Sequence, residues 1–346
     1  MSQHSISVII PTFNSAATVS DCLKSIFNQD YPREKLEVII ADAGSQDVTL
    51  DIVNKFKDLN TIKFSICKNL LKTGEAGKAI GFKQVKNEII AFIDSDNILP
   101  DKSWLTKMVE PFQDTEIIAS EPLEYTYRVS DGVITRYCAL MGMNDPLCLF
   151  IGNYDRYSFL ANKWTEMPHK EEDKGGFLKI DLHKDYLPTI GANGFLIRRS
   201  ALDCYSIGDY LFDIDIISEL LDKSGADKII RFAKVKTGII HIFSGNLSTF
   251  AKKQRRRVRD YLYYQKLRIR KYPWQKVNKL KVIKFILYCL LVLPLVVQSL
   301  RGYFRKPDKA WFFHPLACWI TLWEYGWGKL SSFFKVKEMD RKGWQQ

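Results

Sequence analysis

Ile89-Ile90-Ala91-Phe92-Ile93-Asp94-Ser95-Asp96 is a five-residue apolar run that stops on two carboxylates spaced two apart. Such a run is short for a helix and carries no polar alternation, so it predicts a strand covered on both faces, as in a parallel sheet. Three earlier runs share the pattern: Ile6 to Pro11, Leu36 to Ala41 and Ile62 to Cys67, each bounded by turn residues. Amphipathic helices are predicted between them over Thr18 to Asn28, Val48 to Phe56 and Gly77 to Val85, and a fourth over Ser103 to Phe112, with Ser103 as its N-cap. Alternation at this spacing means an α/β fold with a mostly parallel sheet and helices on both faces. Ligands of such sheets bind at the carboxyl ends of the strands, which is where Asp94-Ser95-Asp96 falls.

Three more loops share that end. Pro11-Thr12-Phe13-Asn14 closes the first strand, Ala41-Asp42-Ala43-Gly44-Ser45 closes the second, and Gly74-Glu75-Ala76-Gly77-Lys78 opens the helix before Asp94. Asp42 can accept from a ribose or a base edge, while Gly77 and Lys78 can offer backbone N–H groups and a cation to phosphate. Asp94 and Asp96 can converge on one hard cation, which would in turn bridge a diphosphate. Each loop alone is also an ordinary turn, and a strand-terminal Asp is a common cap residue. The four together predict one pocket.

From Tyr125 to Thr189 the periodicity fails, and the aromatic-rich stretch reads as an irregular lid or acceptor-facing region. Beyond it, Gly191-Ala192-Asn193-Gly194-Phe195-Leu196-Ile197 predicts a turn then a strand, Asp213 to Ser224 a helix, and Lys234 to His241 a strand. His241, at a strand end, is either a metal ligand or an ordinary hydrogen-bonded residue.

The ordered set V-I-I-P-T-F-N, D-A-G-S-Q-D, G-K-A-I-G-F and F-I-D-S-D-N-I-L-P, over residues 5 to about 120, resembles the inverting family 2 glycosyltransferases. That resemblance implies a Rossmann-like nucleotide-diphospho-sugar transferase fold of the GT-A type. It also implies that Asp42 and Asp94 contact the nucleoside and that Asp96 ligates Mg or Mn on the diphosphate of a uridine-linked donor. The family's Gly-x-Asn-Gly acceptor loop is matched by Gly191, Asn193 and Gly194. Its Glu-Asp element is matched by Phe212-Asp213, with Asp213 in the place of the catalytic base and Asp215 as a brace. His241 stands where some members supply a third metal ligand. Gln254 and Arg257 resemble the Q-x-x-R-W element of processive synthases and would hold acceptor or phosphate. The chain departs from the family at Ser15, Ala43 and Phe212, where Glu, Asp and Glu are usual, and at Val258, where the synthases have Trp.

The chain has 346 residues with 46% apolar and 26% charged side chains, enough for a large core and far from a disordered composition. Seven scattered cysteines, with no C-x-x-C pair, fit neither a disulfide framework nor a zinc ribbon. The strand at Ile6 follows Met1 too closely for a signal peptide, so a cytoplasmic, reduced setting is expected. Lys252 to Lys284 holds fourteen Lys or Arg against one Asp, which exceeds the whole chain's net charge of +12. A solvated linker would read the same way.

The sequence beyond that block favours anionic lipid over nucleic acid, because Phe285 to Leu300 and Ala310 to Trp323 are uncharged apolar runs of 16 and 14 residues. Both are short for spanning and contain a proline, so helices lying in or re-entering the cytoplasmic leaflet are favoured over a spanning hairpin or a buried helical pair. The expected division is a catalytic domain over 1–250 (donor half 1–122, acceptor half 123–250), basic juxtamembrane helices over 251–284, a membrane-associated helical pair over 285–334 and a polar tail over 335–346. The expected function is metal-dependent transfer of one sugar from a nucleotide-sugar donor to a lipid-linked acceptor. The alternatives are a processive polysaccharide synthase and a noncatalytic, basic membrane-surface protein on the same fold.

Overall fold

The computed structural model describes residues 4–59, 61–154, 156–203, 207–224, 229–267, 270–272 and 278–331. The polar tail at 335–346, the last residues of the expected helical pair and parts of the basic segment lie outside the described residues. The chain forms two compact units: residues up to Leu123 with 168–240, and 124–167 with the chain from His241 onward. This differs from the linear division expected from sequence, which kept 123–250 together.

In the first unit, β1 (Ile6–Thr12), β2 (Leu36–Asp42), β3 (Lys63–Lys68) and β4 (Ile89–Phe92) lie side by side in the order β3-β2-β1-β4, all parallel. Nearly every residue of β1, β2 and β4 is buried, which explains their unbroken apolar sequence. Connecting them are α1 (Val19–Phe27), α2 (Thr49–Leu59) and α3 (Gly74–Phe82). Helix α1 buries Val19, Cys22, Leu23, Ile26 and Phe27, one stripe at helical spacing. The register pairs Thr12 with Asp42 and Ile9 with Phe92, so the ends of β1, β2 and β4 open on one rim.

After the two-residue β5 (Asn97–Ile98) and α4 (Trp104–Val109), the sheet becomes antiparallel. Ser103 precedes α4 as expected, but its hydroxyl donates to Asp101 (2.7 Å) instead of accepting from the helix. β6 (Ile117–Thr126), β7 (Lys170–Asp173), β8 (Phe177–Leu182), β9 (Phe195–Arg198) and β10 (Ile230–His241) continue the order β4-β9-β6-β10-β8-β7. Strand β9 runs antiparallel to both β4 and β6, and β8 to both β7 and β10. The sheet is therefore mixed, parallel through its first four strands. Its edge β7 is Lys-Glu-Glu-Asp, fully exposed, a charged strand that resists pairing with another chain. Helix α8 (Asp213–Ser224) has the bounds the sequence predicts, and the short α7 (Arg199–Asp203) follows β9.

The second unit is helical. α5 (Val133–Met141) and α6 (Leu147–Ile151) occupy the stretch expected to be irregular, and they belong to this unit with α9 (Leu247–Leu267), α10 (Lys279–Leu291), α11 (Leu293–Arg305) and α12 (His314–Ser331). Its core joins Ile134, Tyr137, Leu140 and Met141 of α5 to Phe250, Trp311, Phe313 and Ala317. A second cluster joins Phe150 to Phe285, Cys289, Leu295 and Cys318. The C-terminal helices are thus part of this unit's core. The first apolar run is broken at Val292, which takes φ +59°, and Pro294 and Pro315 sit in the first turns of α11 and α12, where a missing N–H costs nothing.

Candidate active site

The rim of the parallel strands carries the predicted loops. Asp42 ends β2 and is buried, and four donors saturate its carboxylate: Thr12 Oγ1 (3.0 Å) and Ser45 Oγ (2.6 Å) reach Oδ1, while the N–H groups of Gly44 (2.8 Å) and Ser45 (2.9 Å) reach Oδ2. The side chain ties the β1 and β2 loops together. Asn14, at φ +49°, receives Gln46 N–H on Oδ1 (2.8 Å) and donates its own N–H to Ser45 (2.9 Å). Ser15, in the place of the usual Glu, meets Ser95 hydroxyl to hydroxyl at 2.9 Å, linking the first loop to the middle of D-x-D.

Gly77 and Lys78, expected to meet phosphate, take other partners in this structure. Thr73 caps α3 through Ala76 N–H, and Gly77 N–H donates to the Thr73 carbonyl (3.0 Å), so that donor is spent inside the helix. A Cβ at Gly77 would press on Pro11 Cβ (3.0 Å) and Asn69 Nδ2 (3.1 Å), so this glycine and Pro11 let α3 lie close on β1. Lys78 is turned inward, with its ammonium on Asp213 Oδ2 in a short ion pair and 3.3 Å from Asp94 Oδ1. Its side chain is 8% exposed and that of Asp213 13%.

This bridge is invisible in the sequence, and it joins the two chemical halves of the site: the D-x-D carboxylates and the predicted base. Asp213 is the first residue of α8, with Oδ1 accepting the Ile214 N–H (2.9 Å). Leu211 N–H to the Glu75 carbonyl (3.0 Å) fixes the segment before it against α3. Burial lifts the Asp213 carboxyl above the ordinary carboxylate range, and Lys78 pulls the other way. Burial alone would lower the Lys78 ammonium, but Asp213 and Asp94 outweigh it and hold its pKa well above the ordinary value. A carboxylate kept charged by a fixed ammonium can still take a proton from a hydroxyl.

Asp215, two residues along the same helix, is by contrast fully buried.

The acceptor-loop residues meet the same rim. Asn193, at φ +48°, accepts from Asn97 Nδ2 (3.0 Å), and Gly194 N–H donates to the Phe92 carbonyl (3.1 Å). Gly191, at φ +115°, leaves no room for a methyl beside the Asp213 carbonyl. Its N–H donates to Glu121 Oε2 (2.9 Å), and Glu121 forms a fully buried ion pair with Lys234 (2.5 Å). The sequence does not single out this pair, because Glu124 in β6 and Arg231 and Lys236 in β10 carry the same charges.

Asp94 and Asp96 are half-buried, with Asn97 Nδ2 3.4 Å from Asp96 Oδ1. Among the described residues no three His, Cys, Asp or Glu side chains group to hold a metal alone. Two hard carboxylates beside a diphosphate nonetheless suit Mg or Mn, which bind one or two carboxylates with substrate phosphates and water. His241 and the Q-x-x-R pair belong to the second unit. Asn144 Nδ2 lies 3.2 Å from His241 Nδ1, and the ring packs on Tyr125 and Phe243. Gln254 is fully buried, donating to the Asn144 carbonyl (2.8 Å) and accepting from Arg257 Nη1 (2.6 Å). It is a scaffold residue, not an open phosphate contact, whereas Arg257 is 37% exposed.

A parallel sheet whose rim gathers D-x-D, a buried Asp–Lys pair at a helix start and a Gly-Ala-Asn-Gly loop has the architecture of the GT-A fold. Residues 7–132 match the family described as Glycosyl transferase family 2. It is 30% identical over 139 residues to Glycosyltransferase AglE of Haloferax volcanii, covering 40% of this chain and 45% of that one. It is 37% identical over 104 residues to the GalNAc(5)-diNAcBac-PP-undecaprenol beta-1,3-glucosyltransferase of Campylobacter jejuni, covering 30% and 33%. Each match thus spans less than half of the relative's length. The mannosyltransferase PcManGT of Pyrobaculum calidifontis, solved with GDP-Man and Mn2+, aligns over 95% of this chain and 89% of its own, with a TM-score of 0.55. At 14% identity that likeness establishes the fold.

Proposed function

We propose that the protein transfers one sugar from a uridine-diphosphate donor, with inversion, to a lipid-linked acceptor at the cytoplasmic face of a membrane. The observation that carries this reading is the Asp213–Lys78–Asp94 bridge, which sets a charged base beside the donor carboxylates. The acceptor hydroxyl gives its proton to Asp213 as its oxygen attacks the anomeric carbon. The bond to the donor diphosphate breaks, its electron pair leaves with the diphosphate, and a single in-line displacement inverts the centre. Asp96 and Asp94 would hold Mg or Mn. Bound there, the cation neutralises charge on the departing diphosphate. Lys78 keeps Asp213 ionised, and Gly191, fixed by Glu121, sets the backbone around it.

The Campylobacter relative, named for an undecaprenol-linked acceptor, and an Escherichia coli relative, named for UDP-Glc and a diphosphoundecaprenol acceptor, support the donor and acceptor classes. Val258 in place of Trp speaks against a processive synthase.

The test is thermal stabilisation by a panel of nucleotide sugars with Mn2+. UDP-linked sugars should raise Tm, by about 2.7 kcal/mol of stability at a hundredfold excess over Kd. Stabilisation by GDP-linked sugars alone would overturn the uridine assignment, and none by any donor would overturn the enzyme reading.

A further inference from the structure

Helix α12 turns a polar side inward and an apolar stripe outward. On α12, His314, Thr321 and Glu324 are buried, while Leu316, Trp319, Trp323, Trp327 and Leu330 are exposed at three- and four-residue spacing, Trp323 by 67%. Two of these are paired within the unit, His314 with Tyr137 (2.7 Å) and Gln298 (3.0 Å) and Glu324 with Arg255 (2.7 Å from both Nε and Nη2), whereas Thr321 Oγ1 has no hydrogen-bond partner. Helix α11 buries Leu295, Ser299 and Gly302 and exposes Leu293, Val296, Val297, Leu300 and Phe304 beside Arg301 and Arg305. Helix α10, packed against both, exposes Leu280, Ile283, Leu287, Leu290 and Leu291. A helix with its polar side inside and its apolar side outside is inverted for water and ordinary for lipid.

The charges select the kind of lipid. Residues 278–331 contain eight Lys or Arg and two acids. Both acids face protein: Glu324 pairs with Arg255, and Asp308 caps Ala310 (2.7 Å) beside Arg136 (3.5 Å). Lys279, Lys284, Arg301, Arg305, Lys309 and Lys329 are exposed.

Geometry selects how the surface sits. Helices of 13, 13 and 18 residues are about 20, 20 and 27 Å long, short of a hydrocarbon core of about 30 Å. Among the described residues no single helix is long and apolar enough to cross, and α10 and α11 meet at 94°.

We propose that the outward faces of α10, α11 and α12 are a docking surface for one anionic leaflet, entered from one side. The helices lie in its plane, the α10–α11 bend sits deepest, and the Trp stripe of α12 lies at headgroup level. This inference rests on the membrane placement above and adds which residues meet the lipid and how deep. The long stems of Lys284 and Arg301 let their charges reach the headgroups from an apolar stripe.

The experiment uses the full chain with vesicles of phosphatidylcholine alone or mixed with phosphatidylglycerol. The protein should float with the anionic vesicles, less at high salt, and its Trp emission should be quenched more by lipids brominated near the headgroup than near the chain end. Leu291→Glu with Leu293→Glu, both at exposed positions, should weaken vesicle binding by about tenfold or more, with Tm and stabilisation by nucleotide sugar unchanged. Stronger quenching from the chain end would overturn in-plane docking in favour of insertion across the bilayer. Failure to bind vesicles, with concentration-dependent dimerisation abolished by the same variant, would make the face a protein interface. Because vesicle binding needs no donor, its failure is separate from failure of the transferase reading.

Discussion

Replacing Lys78 with Met removes the ammonium that Asp213 and Asp94 share while keeping most of the stem's volume. Asp213 is the more enclosed partner, at 13% exposure against 34% for Asp94, so the cost falls mainly on its carboxylate. Breaking a buried pair by removing one partner costs about 3–5 kcal/mol, because the remaining charge keeps its desolvation penalty without compensation. The variant escapes part of that penalty by protonating Asp213, so the folded carboxyl pKa rises further above its unfolded value. A raised folded pKa means the native state binds the extra proton, so the variant should gain stability relative to wild type as pH falls and lose it as pH rises. The same proton blocks the base, and the acid limb of the rate profile should move toward alkaline pH with little change in donor affinity. Urea melts at several pH values and a pH–rate profile read both effects. A Lys78→Met protein that loses under about 1 kcal/mol at neutral pH and keeps its rate profile would show that the ammonium does not hold the base charged.

Three further outcomes are expected. Asp96→Asn should keep its Tm but lose about tenfold or more of Mn2+-dependent donor affinity, measured by calorimetry with and without the metal; unchanged affinity would remove Asp96 from the metal site. Gly191→Ala, forced into a left-handed conformation against the Asp213 carbonyl, should cost about 1–3 kcal/mol in a urea melt and lower kcat more than donor KM. Burial pushes the His314 imidazole down to about 3, below its ordinary 6.5, so the unfolded chain binds a proton that the folded unit refuses between those values. Stability should therefore fall on acidification, by about 1.6 kcal/mol from pH 6.5 to 5, and His314→Gln should flatten that slope in urea melts.

The parallel half of the fold was legible because β1, β2 and β4 are buried on both faces and their sequences say so. Helix α8 was equally plain, since a polar first turn precedes an apolar stripe. In the antiparallel half the strands at Phe195 to Ile197 and Lys234 to His241 were readable, but their pairing was not, because partners lie as far as a hundred residues away, as Ile90 does from Ile197. The Lys-Glu-Glu-Asp edge strand carries no apolar face at all. Helix α5 begins Val-Ile-Thr and includes Tyr137, β-branched and aromatic residues that mask helical preference until tertiary packing overrides it. At the site, Asp42, Asp94, Asp96 and Asp213 were readable as carboxylates at strand and helix ends. The orientation of Lys78 was not, because sequence shows a cation near a phosphate-type loop and cannot show a base 135 residues onward claiming it.

If Asp213 removes the acceptor proton while the rest of the rim holds the donor, the two roles separate in one comparison. Wild type and Asp213→Asn are assayed for nucleoside diphosphate release in the presence of acceptor, with donor binding measured on the same samples. Donor binding should be unchanged and kcat reduced by roughly a hundredfold to ten-thousandfold, the ordinary worth of general-base catalysis. Near-normal turnover by Asp213→Asn, with the loss appearing instead in Asp215→Asn, would contradict that role and move the base two residues along α8.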